Sequence, residues 1–158
     1  MTRHLGELNF GILRHDWEDP RVAPFRDALD AVNAIAHRSP GFVWQLGEDE
    51  MDAAQNDPNG PLGGNPRMAS TLSVWTDPQS LWHFVDRSVH GRYMRRAKEW
   101  FEPGDSGHLV LWWIAPGHQP TLAEGMDRHR HMVAHGESAH AFRFSWLQDQ
   151  GLIAAAVR

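Results

Sequence analysis

The chain contains no cysteine among its 158 residues. Disulfides, thiolate metal sites, redox Cys pairs and a Cys nucleophile are therefore excluded. It has no long hydrophobic run either. The longest, Leu109 to Ala115, is far too short to span a bilayer. Basic residues are not in excess: 15 Lys and Arg stand against 20 Asp and Glu, for a formal net charge of -5. That balance argues against nucleic acid or an anionic membrane as partner. The first ten residues, MTRHLGELNF, carry no apolar core of a secretory signal, so a cytoplasmic location is expected. Three catalytic signatures are also missing. Gly60 to Gly64 lacks the GK[ST] ending of a phosphate loop, and neither a GxSxG elbow nor an HExxH helix occurs.

What is present is ordinary in bulk: 41% hydrophobic and 22% charged residues, in a length that suits a single domain (1–158) with a substantial core. Two counts are high, eight Trp and eleven His. Indoles give large contact area with one polar handle, so the Trp set reads either as a heavy core or as the wall of a pocket for a flat ligand.

Leu5 to Leu13 alternates apolar and polar residues and is expected to be a strand. Asp19-Pro20 signals a helix start, and an apolar stripe runs from Val22 to Ala36 before Ser39-Pro40-Gly41 stops it. Phe42 to Leu46 is a second strand. Gly47 to Pro66 is rich in Gly, Pro and acidic residues and reads as a long structureless loop, hence a lid or an insertion. Arg67 to Trp75 is a third strand. Thr76-Asp77-Pro78 opens a second helical region that ends at Pro103-Gly104. His108 to Ala115 is a fourth strand, apolar on both faces, which must be covered on both sides. Two helices cover only one face of a four-stranded sheet, so a partner subunit is the expected source of the second layer. Thr121 and Glu124 have capping-box spacing at the head of a third helix to about His135. The alternation of His140, Phe142, Phe144 and Trp146 predicts a last strand. The order is β-α-β-β-α-β, the split βαβ of an α+β ferredoxin-like fold, with an extra C-terminal helix and strand.

The segments LGELNFGILR, RSPGFVWQL, SVWTDPQSLWHFV, RRAKEWF, LVLWWIAPGHQPT and AHAFRF resemble an uncharacterised bacterial branch of the dimeric α+β-barrel superfamily. That superfamily includes antibiotic-biosynthesis monooxygenases, haem-degrading monooxygenases and muconolactone-isomerase-like proteins. The resemblance implies a homodimer and a ligand cavity between sheet and helices in each subunit. In the haem-degrading members an Asn on the first strand and a Trp and a His on the second long helix serve the site. Asn9 matches that Asn, whereas Phe84 and Met94 stand at the other two positions.

Several residues are candidates for chemistry. Asp86 and His90 lie four apart on the second helix, where the carboxylate can fix the imidazole tautomer and raise its basicity. The alternative is a surface ion pair. Asn9, polar in an apolar strand, either anchors a ligand oxygen or bonds a neighbouring loop, and its alternation opposite Leu8 and Phe10 leaves cavity or dimer side open. Trp44, Trp75, Trp82, Trp112 and Trp113 are candidate cavity walls, and His118 sits in a rigid Pro-Gly-His-Gln-Pro turn. His129, His131 and His135 read as a solvated helix face, with His131 and His135 at a metal-compatible spacing but no carboxylate to complete a shell. Arg92, Arg95, Arg96 and Lys98 read as a solvated face too. The expectation is a small-molecule enzyme, without cofactor or metal, of the cofactor-independent monooxygenase or cyclase/isomerase type, acting on an aromatic or polyketide-like intermediate. In it Asp86-His90 removes a proton, and Asn9 and a Trp N–H stabilise the anion. The alternatives are a haem- or metal-binding protein and a non-catalytic binder of apolar ligands.

Overall fold

A computed structural model describes residues 2–86, 96, 99–103 and 108–154. Four strands, β1 (His4–Ile12), β2 (Phe42–Gln45), β3 (Met68–Trp75) and β4 (His108–Ile114), form one sheet in the order β2-β3-β1-β4. Every neighbouring pair is antiparallel. This is the ferredoxin-like strand order, and β1 lies inside it, hydrogen-bonded on both edges.

Period-2 alternation sends β1 side chains to two different layers. Leu5 packs with Trp75, Leu111, Ala36, Leu81 and Phe84, the last three from α1 (Ala23–Arg38) and α3 (Pro78–Phe84). Leu8 and Phe10 pack on the other side with Val110, Trp112, Leu122 and Met132. α3 starts where its sequence signals it. Asp77 caps it, accepting the Ser80 backbone N–H at 2.8 Å. α1 starts later than Asp19-Pro20 suggests. Asp19 instead holds a turn, accepting the Arg21 N–H at 2.8 Å, and Pro24 takes the first turn of the helix.

The second layer expected of a partner is supplied by the chain itself. The helix α4 (Leu122–His135), preceded by its N-cap Thr121, which accepts the Glu124 N–H at 3.1 Å, covers the Leu8–Trp112 face. Leu8, Leu72, Val110 and Trp112 are fully buried there within one chain. The approach is close because two glycines allow it. A Cβ on Gly125 would lie 2.8 Å from Leu8 Cδ2 and 3.1 Å from the Trp112 ring, and one on Gly6 would lie 2.8 Å from the same ring.

Two segments differ from their sequence reading. Residues 47–66 are not structureless: α2 (Glu48–Gln55) occupies them, Met51 and Ala54 pack against the core and Leu62 is buried. Its first turn carries Glu48, Asp49 and Glu50, a favourable placement at a helix N-terminus. The C-terminal strand shrinks to isolated bridges, of which one joins it to the sheet. Phe142 exchanges two backbone hydrogen bonds with Leu111 (2.7 and 2.9 Å), and then α5 (Phe144–Asp149) begins. Phe142 and Trp146 satisfy a four-residue spacing as well as alternation. Their rings stack at 4.6 Å and Leu147 is buried, so the helical period prevails.

Candidate active site

The α1/α3 face of the sheet is not closed along its whole length. A cavity of about 350 Å³ opens between the odd-numbered residues of β1 and β3 and the inner faces of α1 and α3. Val32, Phe42, Leu81 and Phe84 form apolar walls, and Glu7, Asn9, Thr71 and Ser73 form a polar floor. The register explains the floor. Glu7 stands directly opposite Ser73, and Asn9 opposite Thr71, so all four project to the same side.

Glu7 is the one charged residue in the buried core among the described residues. Both its oxygens accept hydrogen bonds. Asn9 Nδ2 donates to Oε1 at 2.5 Å, and the Ser73 hydroxyl donates to Oε2 at 2.7 Å. The Trp75 indole N–H donates in turn to Ser73 Oγ at 3.0 Å. Removal from water disfavours the carboxylate, and the two hydrogen bonds favour it. Burial wins, and the Glu7 carboxyl is pushed up from 4.5 to about 7. Near neutral pH the site therefore holds both an acceptor and a donor form of one group. A carboxylate has about four lone-pair sites, so the two bonds leave capacity for a ligand.

Asn9 faces the cavity, which settles its side of the sheet. It gives its amide hydrogens to Glu7 and to Thr71 Oγ1 (2.5 Å). What remains for a ligand is its carbonyl oxygen, an acceptor rather than a donor to an anion. Trp75 also lines the cavity, stacked on Phe84 at 5.1 Å and met edge-on by Phe42 at 5.5 Å.

The other candidates are dispersed. Trp44 and Trp112 pack into the α4-side core. Trp112 and His118 do meet, but through Glu124, which accepts the Trp112 N–H at 2.8 Å and contacts His118 Nε2 at 2.7 Å. That triad lies across the sheet from the cavity. Trp82 packs against Phe144 and Trp113 against Phe142, the latter under the Arg3 guanidinium at 4.2 Å. Neither is part of the cavity lining. Asp86 is exposed, and His90 lies outside the described residues, as do Met94, Arg92, Arg95 and Lys98. His131 sits between His135 (rings 4.6 Å apart) and His140 (4.3 Å). Among the described residues no group of three His, Asp or Glu is arranged to hold a metal ion, and no helix is long and apolar enough to cross a membrane.

Glu7 was absent from the sequence candidates. Its alternation with Leu8 and Phe10 marks it as outward-facing if β1 has one wet side. The signal that identifies it is positional: β1 is an inner strand of a sheet covered on both faces, where an acidic residue is rarely placed without a partner or a task.

The family described as "Domain of unknown function (DUF3291)" matches residues 4–153. No curated protein matches the chain. Among solved structures, the chain is similar to SnoaB, a cofactor-independent oxygenase from Streptomyces nogalater. The identity is 16%, over 78% of this chain and all of that one, with a TM-score of 0.40. It is also similar to protein SO0527 from Shewanella oneidensis, at 12% identity over 72% of this chain and 92% of that one, again with a TM-score of 0.40. With residues 4–153 of 158 matched, the chain belongs to the DUF3291 family.

Proposed function

We propose that the protein is a small-molecule enzyme in which Glu7 removes a proton from an acidic C–H or O–H group of a flat, largely apolar substrate. The observation that carries this reading is the buried Glu7 carboxyl, pushed up to about 7 and aimed into an apolar cavity. A general base works best with a pKa near the operating pH, and a perturbed acid in a cleft is a functional candidate. The cavity volume falls at the lower end of the range for small-molecule sites, about 300–1,000 Å³. Phe42, Trp75 and Phe84 supply aromatic surface for a planar ring.

The step balances within the site. The Glu7 carboxylate takes the substrate proton and becomes a carboxylic acid, leaving a substrate enolate or phenolate. The Thr71 hydroxyl is the nearby neutral donor for that anion. The same Glu7 acid then returns the proton at a second carbon. The net reaction is a redox-neutral isomerisation of an aromatic or polyketide-like compound; in the cyclase form the enolate carbon instead attacks a carbonyl carbon of the same substrate, the carbonyl π bond breaks, and the Glu7 acid gives its proton to the alkoxide oxygen. A cofactor-independent monooxygenase begins with the same proton removal; molecular oxygen then adds to the substrate carbanion, the peroxide takes up the proton from Glu7, and loss of water leaves one oxygen atom in the product as a carbonyl.

The test uses hydrogen exchange, which needs no knowledge of the product. A panel of naphthols, acylphenols and cyclic 1,3-diketones is incubated with enzyme in D₂O, and loss of the acidic C–H signal is followed by proton NMR. Wild type is expected to accelerate exchange for at least one class. Glu7→Gln is expected to lower that rate about 10²- to 10⁴-fold. Equal exchange by wild type and Glu7→Gln contradicts the proposal. Oxygen uptake with the same compound separates the oxygenase from the isomerase form.

A further inference from the structure

Trp75 is fully buried apart from 1% of its surface, so its indole N–H needs an acceptor inside the protein. The acceptor is Ser73 Oγ, at 3.0 Å, on the same strand and the same face two residues away. A hydroxyl has one proton to give. With the indole N–H occupying one side of Ser73 Oγ, that proton is directed elsewhere, and Glu7 Oε2 lies 2.7 Å away across the strand pair. The indole itself is held by the Phe84 stack and the Phe42 edge. The result is a one-way chain of donors, Trp75 to Ser73 to Glu7, in which each bond polarises the next.

We propose that Trp75 is a positioning residue for Glu7: its indole N–H fixes the Ser73 hydroxyl as an obligatory donor to the carboxylate and so holds Glu7 oriented and able to ionise beside the cavity. The functional meaning of this role rests on Glu7 being the proton-removing group. The role itself is testable without any substrate. A Trp75 that only fills the core would leave the ionisation of Glu7 where it is once the ring is replaced by another ring.

Glu7 ionisation is followed in the full chain by ¹³C NMR of labelled glutamate, with Glu7→Gln identifying the resonance. Ser73→Ala removes a donor to the charged form and is expected to raise the Glu7 midpoint by about one to two pH units. Trp75→Phe keeps an aromatic ring and removes the N–H together with the second ring of the indole. It is expected to raise the midpoint in the same direction by a smaller amount, and to add nothing in the Ser73→Ala background, because one chain carries both effects. An unchanged midpoint in a folded Trp75→Phe protein, or fully additive shifts, overturns the proposal. Where Trp75→Phe does not fold, the wild-type indole ¹⁵N–¹H resonance of Trp75 decides. Movement with the Glu7 midpoint, lost in Glu7→Gln, supports the chain, and a resonance constant from pH 5 to 9 overturns it. Intact turnover in Glu7→Gln would sink the proton-removal reading while these readouts still report on Trp75.

Discussion

Replacing Glu7 by Gln should make the protein more stable at alkaline pH and hardly change it in acid. In the folded protein Glu7 keeps its proton up to about pH 7, whereas in the unfolded chain it releases it near 4.5. Between those values the native state binds more protons than the unfolded state, so stability falls as pH rises. The contribution is complete below about pH 4.5 and is lost through pH 7. The interval corresponds to about 3 kcal/mol at 1.36 kcal/mol per pH unit. Gln has nearly the same shape and no charge to desolvate. It can accept from one neighbour and donate to the other, provided the Asn9 amide or the Ser73 hydroxyl turns. Urea denaturation of both proteins from pH 4.5 to 8.5 measures the difference. Groups that titrate alike in both chains, including His129 and His140, whose pKa values burial lowers, cancel in the comparison. The expected difference is small at pH 4.5 and grows in favour of Gln by about 3 kcal/mol by pH 8.5. A difference that does not vary with pH, or that grows in favour of Glu, refutes the reasoning. A residue retained at such a cost is the pattern expected of a functional group.

Other outcomes follow from the packing. Gly125→Ala places a Cβ 2.8 Å from Leu8 Cδ2, and overpacking of this kind costs about 1–3 kcal/mol. A drop in the urea midpoint at unchanged slope is expected, and unchanged stability would mean that α4 is free to move off the sheet. Deleting residues 121–158 uncovers Leu8, Val110 and Trp112, each fully buried in the intact chain. At about 1.5–3 kcal/mol per large apolar side chain, the sum rivals the whole stability of a domain, about 5–15 kcal/mol. The truncated chain is expected to show no cooperative unfolding transition, and a cooperative one would show that α4 is dispensable.

The strands and three of the helices were legible because their signals are local. Alternation marks β1, a short continuous apolar run marks β4, Asp77-Pro78 marks the start of α3, and Thr121 marks α4. α2 was hidden because the Pro and Gly of residues 58–66 dominate the composition of its neighbourhood, while Met51 and Ala54 give it only a short apolar stripe. At the C-terminus, aromatic residues at 142, 144 and 146 fit two periods at once, and the contacts of Leu147 and Trp146 with the sheet decide between them. The site was legible in part. Asn9 and Trp75 belong to the cavity, but four of the five Trp candidates serve the core or its margins. Glu7 required knowledge that β1 is an inner strand and that α4 seals its other face. Both facts come from long-range pairing, which alternation along one strand does not contain.

The proposed function requires Glu7 to change charge near neutral pH inside the cavity. The most direct measurement is the ¹³C chemical shift of the Glu7 carboxyl in the folded protein between pH 4 and 9. The structure predicts a midpoint at about 7. A midpoint at or below about 5, the range of an ordinary solvated glutamate, would contradict the account.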